Sequence, residues 1–288
     1  MAKDDDTITV ALAALRRKID EVDDGLHELL MRRAELVEEV ARVKHRDDVV
    51  AFRPGREAQI LRRLAGRHHG RFPRGTMVRL WREIMGSALA AQADLTVAVC
   101  DGCRDLARDH FGTLIRLLPL PAAEETMLAV AEGRAALGVL PLYGDAFAPA
   151  WWLALGALDE PRPAVVARLP FGALGNAAGD CNDAVVIAAM TPEASGDDCT
   201  LLIVESELSG AAPLTDTFLA AGLDASPMAR GERAGRIVHL VEIEGFVEPG
   251  DSRLVRVAVK LGRGGRIVRL GCYARPLPDA LMGGVAPE

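Results

Sequence analysis

A long apolar repeat interrupted once by a cation constrains this chain more than any other feature. Leu15, Ile19, Val22, Leu26, Leu29, Leu36, Val40 and Val43 recur at alternating spacings of four and three, the period of a helix that buries one stripe against other helices. Arg33 occupies the seam position where the next apolar residue is expected. A guanidinium stays charged at any working pH, so in a seam it needs an anionic partner or a route for its head to reach water. Two readings remain open at this point: a registry device or snorkelling arginine, and an anion pocket inside a helical bundle.

The neighbouring cations bear on that choice. Lys44 lies eleven residues after Arg33, which on a helix is about 20° around the axis and roughly 16 Å further along, so the two side chains can lean toward one small molecule bearing carboxylates. Arg16 lies seventeen residues before Arg33, about 25 Å away and roughly 100° around. It cannot reach the same pocket from the same helix. If all three act on one ligand, Arg16 comes from an antiparallel partner chain, so an intertwined dimer is a requirement of the anion-pocket reading.

Two more helices are predicted. Pro54 opens one, continued by Arg56, Glu57, Ile60, Leu61 and Leu64 and stopped between Gly66 and Gly70; Pro73 opens the next, through Val78, Leu80, Trp81, Ile84, Met85, Leu89 and Gln92. The segments ALRRKIDEVD, LLMRRAELVEEVARVK, FRPGREAQIL and LWREIMGSALAAQ together resemble the all-helical chorismate mutase domain of the AroQ type. That resemblance covers nearly all of the first 92 residues and implies three helices, a dimer built on the first of them, and rearrangement of chorismate to prephenate.

Chorismate carries two carboxylates and its Claisen rearrangement is unimolecular. Catalysis then rests on holding the compact conformer and on stabilising negative charge that develops on the breaking ether oxygen. No nucleophile, metal or cofactor is needed. By residue-wise resemblance, Arg33 and the partner chain's copy of Arg16 clamp the carboxylates, and Lys44 reaches a carboxylate and the ether oxygen. Gln92 matches the position that donates to the other side of that oxygen, Glu57 the one that accepts from the substrate hydroxyl, and Arg56 a supporting arginine. Two substrate-side positions depart from one version of the pattern: Arg53 stands where an aspartate can contact the hydroxyl region, and Ala88 replaces a serine.

Composition is consistent with a soluble cytoplasmic enzyme. The 288 residues, 50% of them hydrophobic, suffice for two or three domains. No apolar run reaches the roughly 18 residues of a membrane span, and MAKDDDTITV lacks the basic and apolar regions of a secretory signal. Lys and Arg number 18 against 15 Asp and Glu through Gln92, leaving 16 against 26 for the rest. This distribution suits an anionic substrate in the first third and argues against nucleic acid as a partner. Five cysteines without a secretion signal imply reduced thiols. Cys100 and Cys103 form a C-x-x-C, but no second pair completes a zinc set and no surrounding pattern supports a thioredoxin-type centre.

Beyond Asp94 strands and helices alternate: LTVAVCD as strand and loop, ETMLAVAEGRA as helix, ALGVLPL as buried strand. With DHFG and AEGRAALGVLPL, this region resembles the first lobe of a prephenate dehydratase domain, an α/β region of periplasmic-binding-like type. HLVEIEGF and RIVRLGCYARPL resemble the last strands of an ACT regulatory domain. The fold expected is therefore multidomain: a helical mutase domain over 1–93, a degenerate dehydratase-like domain over 94–196, and an α+β ACT-like domain over 197–288 running strand, helix, two strands, helix, strand.

The dehydratase motifs themselves are missing. CDGCRDL stands in place of a G-P-E-G-T-F-S loop, PLYGD in place of P-I-E-N-S, and Ala184, Val185 and Val186 in place of Thr-Arg-Phe. About 100 residues separate Asp94 from Ser195, against roughly 180 for two lobes of ordinary size, so the segment from Phe147 to Asp183, with Trp151 and Trp152, reads as the remnant of a second lobe. In the ACT-like part, Gly210-Ala211-Ala212-Pro213 partly keeps the family's effector turn, while Ala229-Arg230-Gly231-Glu232 does not keep its second motif. A phenylalanine effector and a dimerisation module without ligand both remain open. The expected activity is a monofunctional chorismate mutase with an inert tail. The alternatives are a bifunctional mutase and dehydratase, and a non-catalytic regulatory partner of an aromatic-pathway enzyme.

Overall fold

The computed structural model describes residues 2–44, 52–142, 150–172, 181–206, 210–262 and 264–282. The chain divides into two units, Met1–Ala51 and Phe52–Glu288.

The first unit is one helix over its described residues, α1, Ala2–Lys44, about 65 Å long at 1.5 Å per residue. It begins well before Leu15, where the apolar repeat starts. The seam expected to be buried is open in the single chain: Leu15 is 56% exposed, Leu29 70% and Val43 68%. The reason is physical, since one helix has no second surface against which to bury a stripe. Arg33, flanked on the seam by exposed Leu29 and Leu36, is itself half-buried.

The second unit starts with α2, Pro54–Arg67, and α3, Arg74–Gln92. Both begin as the prolines predict, with Pro54 in the first turn of α2 and Pro73 as the residue before α3. Ala58, Leu61 and Ala65 on α2 and Met77, Val78 and Met85 on α3 are buried together with Phe171, Ala274, Leu277 and Met282 from the distal part of the chain. The apolar faces of α2 and α3 are spent on the sheet-bearing part of the protein, and the boundary between units falls ahead of them, between Ala51 and Phe52.

Among the described residues nine strands follow, interleaved with six helices: β1 Thr96–Cys100, α4 Arg104–Phe111, β2 Arg116–Leu120, α5 Ala123–Ala131, β3 Leu137–Pro141, α6 Trp151–Leu155, β4 Ala164–Leu169, β5 Ala184–Ala188, β6 Asp198–Glu205, α7 Ala211–Leu219, β7 Ala225–Arg233, β8 Arg236–Glu244, α8 Ser252–Lys260, β9 Arg266–Ala274 and α9 Asp279–Met282. They form one sheet in the order β2-β1-β3-β5-β4-β9-β6-β8-β7. β2, β1 and β3 are parallel, and β5 runs antiparallel to both β3 and β4. β9, β6, β8 and β7 are antiparallel. The segment from β6 through β9 has the element order expected from the sequence, and the short α9 follows it. Buried strands such as AVVIA of β5 are apolar throughout, as strands covered on both faces must be.

The two halves of the sheet meet at one register pair, Val165 of β4 and Gly271 of β9. A Cβ on Gly271, whose φ is +152, would overlap the backbone of Val165, so glycine permits this approach. Of the segment expected as the remnant of a second lobe, residues 150–172 and 181–183 are described. Trp151 and Trp152 of α6 are buried in the main core and β4 joins the common sheet. Tyr143–Asp145 of PLYGD, residues 147–149 and residues 173–180 lie outside the described residues.

Candidate active site

The candidate positions fall into two groups. Arg16, Arg33 and Lys44 lie on α1. Arg16 is exposed and Arg33 is half-buried, and that burial pulls the Arg33 guanidinium below its ordinary value, since charge is disfavoured away from water. Lys44 is the last residue of α1.

The second group is carried by α2, α3 and the residue before α2. Glu57 sits in the first turn of α2 and Arg82 in the middle of α3, and Nη1 of Arg82 donates to Oε2 of Glu57 at 2.6 Å. The two side chains are 17% and 6% exposed. Burial raises the Glu57 carboxyl above its ordinary range, with Arg82 pulling the other way. Arg82 also lies 5.2 Å above the Phe171 ring, a favourable place for a guanidinium, and its Nη1 is 3.5 Å from Nε2 of His110 on α4. Burial and then the Arg82 charge hold that imidazole well below its usual value.

Arg82 is the residue the sequence reading missed. The available signal was a cation beside Glu83 in the stretch LWREIM, but an adjacent Arg-Glu pair on a helix is ordinarily solvated, and the contact of Arg82 with Glu57 depends on how α2 and α3 cross. The remaining positions are more exposed. Arg56 faces solvent beside Gln59, at 3.4 Å. Arg53 donates to Oε2 of Glu193 at 3.1 and 2.7 Å, so an ion pair within the chain uses the cation expected near the substrate hydroxyl. Gln92 donates to the backbone oxygen of Ala88 one turn earlier, at 3.0 Å.

The far side of α2 is fixed by polar contacts. Arg62 donates to Ser195 Oγ and the Arg275 carbonyl, each at 2.9 Å, and Gln59 to the Ser195 carbonyl at 3.4 Å. The backbone N–H of Ser195 in turn donates to Asp198 at 2.9 Å. These bonds set the angle at which α2 presents Glu57. On the opposite face, α3 meets α4 through Gly86, where a Cβ would overlap the Phe111 carbonyl, and through Glu83, whose Oε2 accepts from the Thr113 N–H at 3.1 Å.

A cavity of about 1110 Å³ lies elsewhere, lined by residues including Arg162, Pro192, Asp251, Leu254, Val268 and Arg269; none of the candidate positions borders it. Among the described residues, no group of three or more His, Cys, Asp or Glu side chains is arranged to hold a metal ion. No described helix is long and apolar enough to cross a membrane.

Comparison with known proteins adds four findings. The chain is 36% identical over 140 residues to the bifunctional chorismate mutase/prephenate dehydratase of Pseudomonas aeruginosa, a match covering 46% of this chain and 38% of that protein. It is 29% identical over 140 residues to the protein of the same description from Neisseria gonorrhoeae, covering 47% and 38%. The match thus spans less than half the length of these relatives. Among solved structures, the prephenate dehydratase of Streptococcus mutans aligns with 62% of this chain and 97% of its own at 17% identity and a TM-score of 0.44, a likeness on which no functional conclusion rests. Residues 15–93, which hold all eight candidate positions, match the family model described as chorismate mutase type II.

Proposed function

We propose that this protein is a chorismate mutase that rearranges chorismate to prephenate for aromatic amino-acid biosynthesis. The observation that carries the proposal is the family match over residues 15–93, the stretch in which Arg16, Arg33, Lys44, Glu57 and Gln92 are retained. Arg33 and the partner's copy of Arg16 hold the two carboxylates, and Lys44 and Gln92 flank the ether oxygen. Glu57 accepts from the substrate hydroxyl. Arg82 engages its Oε2, which leaves Oε1 for the substrate. Arg56, Arg53 and Ala88 border the bound molecule. The reaction proceeds by fixing one conformer and placing cations where negative charge grows.

The assembly proposed is a cytoplasmic homodimer through α1. Its support is the exposed seam itself, with Leu26 at 55% and Leu29 at 70% exposure, far more apolar surface than an isolated helix keeps in water.

The rest of the chain is proposed as a dehydratase-like region over 94–196 and an ACT-like region over 197–288 within one continuous sheet, without dehydratase chemistry. In support, Ala184, Val185 and Val186 are fully buried in β5, so no side chain there reaches a ligand. The order β9-β6-β8-β7 with two helices supports the ACT-like assignment, with phenylalanine as the effector to be tested. A second reading, a bifunctional mutase and dehydratase, is favoured by the 140-residue match to relatives of that description, which is longer than the mutase segment.

The experiment is to supply purified full-length protein with chorismate and follow substrate, prephenate and phenylpyruvate separately. Prephenate without phenylpyruvate is expected. Phenylpyruvate would replace this reading with the bifunctional one, and no turnover would reject both.

A further inference from the structure

Three thiols gather where β1 ends. Cys100 is the last residue of β1, Cys103 directly precedes α4, and Cys181 lies just before β5. The sequence pairs Cys100 with Cys103 as a C-x-x-C, but the fold pairs Cys103 with Cys181, 78 residues further on, with the two sulfur atoms 2.6 Å apart. That is close to the ~2.0 Å of a sulfur–sulfur bond and inside the reach of non-bonded sulfur.

We propose that Cys103 and Cys181 are a reversible dithiol/disulfide pair, oxidised by low-molecular-weight disulfides of the glutathione type. Cys181 is half-exposed while Cys103 is fully buried, so Cys181 is the sulfur that meets the oxidant and Cys103 the one that resolves. The Sγ–H of Cys103 donates to Cys181 and holds its thiol below the usual value, whereas the same bond and burial push Cys103 up. The Cys181 thiolate attacks one sulfur of glutathione disulfide, whose S–S bond breaks and releases one glutathione thiolate. The Cys103 thiolate then attacks Cys181 in the mixed disulfide, and the second glutathione thiolate leaves. Both cysteine protons end on the two glutathione thiols, and two electrons pass from the protein to the oxidant.

The bridge has a defined place in the fold. β3 lies between β1 and β5 in the sheet, and the Leu142 N–H, just past β3, bonds to the Asp183 carbonyl at 2.9 Å. A bond from Cys103 to Cys181 therefore ties the loop after β1 to the entry of β5 across the end of β3. This is the carboxyl edge of the parallel strands, where open α/β sheets place their ligands. Oxidation fixes that edge and reduction frees it.

The test uses the full-length protein, exposed to glutathione disulfide, alkylated under denaturing conditions and digested for peptide mass mapping. The expected result is one linked peptide pair containing Cys103 and Cys181, undone by dithiothreitol, with Cys100, Cys199 and Cys272 alkylated. Cys100→Ser keeps the link. Cys181→Ser abolishes it. Full alkylation of Cys103 and Cys181 in protein that retains its native circular dichroism would overturn the proposal. So would a link containing Cys100, or a glutathione adduct on Cys181 that Cys103 never displaces. The readout needs no chorismate turnover, so its failure is separate from failure of the mutase reading.

Discussion

Glu57 and Arg82, twenty-five residues apart, meet at 2.6 Å in the crossing of α2 and α3. Both side chains are largely withdrawn from water, at 17% and 6% exposure, and among the described residues each charge is offset by the other. Each is tolerable because the other is present.

Removing one member should therefore cost more than removing both. Arg82→Met leaves a buried carboxylate unpaired and is expected to lower stability by about 3–5 kcal/mol. The double variant with Glu57→Gln should recover much of that loss. Urea denaturation of the wild type, both single variants and the double variant measures the coupling. A single-variant cost below about 1 kcal/mol would mean that the pair is effectively solvated.

His110 predicts an acid-sensitive fold. Its folded value lies well below the ordinary 6.5 because burial and Arg82 disfavour the imidazolium. The unfolded chain thus binds a proton that the native state refuses. The stability this group supports is fully present above about pH 6.5 and declines as pH falls below it. Glu57, raised from 4.5, acts in the opposite sense, its contribution being lost as pH rises. The two are separated by comparing wild type with His110→Leu, in which stability should fall less between pH 6.5 and 5. Parallel curves for the two proteins would count against the assignment.

Gly86 and Gly66 make a contrasting pair on neighbouring helices. A Cβ at Gly86 runs into the Phe111 backbone, whereas nothing lies within 4 Å of a Cβ at Gly66. Gly86→Ala should destabilise by about 1–3 kcal/mol, the usual cost of overpacking. Gly66→Ala should stabilise by about 0.4–1 kcal/mol through reduced unfolded-state freedom. Thermal melts of the two variants should move in opposite directions.

The seam of α1 predicts the oligomeric state. Sedimentation of the wild type should give a dimer, and Leu26→Glu with Leu29→Glu should shift it toward monomer while circular dichroism retains the signal of the second unit. An unchanged mass for that variant would place the dimer contact elsewhere.

Local signals in the sequence were read well, and long-range ones were not. Pro54 and Pro73 mark helix starts because proline pre-sets the first turn, and the apolar runs around Val97 and Val139 mark buried strands because both faces are covered. The joining of the nine described strands was invisible, since it depends on the approach of β4 to β9 around the register pair Val165 and Gly271, which no periodicity encodes. Arg82 escaped for the same reason, its partner being set by a helix crossing. The pairing of Cys103 with Cys181 overrode the nearer Cys100 because strand order, not spacing, decides which thiols meet. Arg33 stands out in the sequence because a cation in an apolar seam breaks a strong local pattern.

That residue also offers the most direct test. Chorismate turnover should be measured for the wild type and Arg33→Ala, with prephenate and phenylpyruvate followed separately. The wild type is predicted to form prephenate without phenylpyruvate. The variant is predicted to lose about 2.7–4 kcal/mol of transition-state stabilisation, the usual cost of one preorganised charge contact in a dry site. Wild-type protein that leaves chorismate untouched, or a variant within about threefold of wild type in rate, would contradict the account.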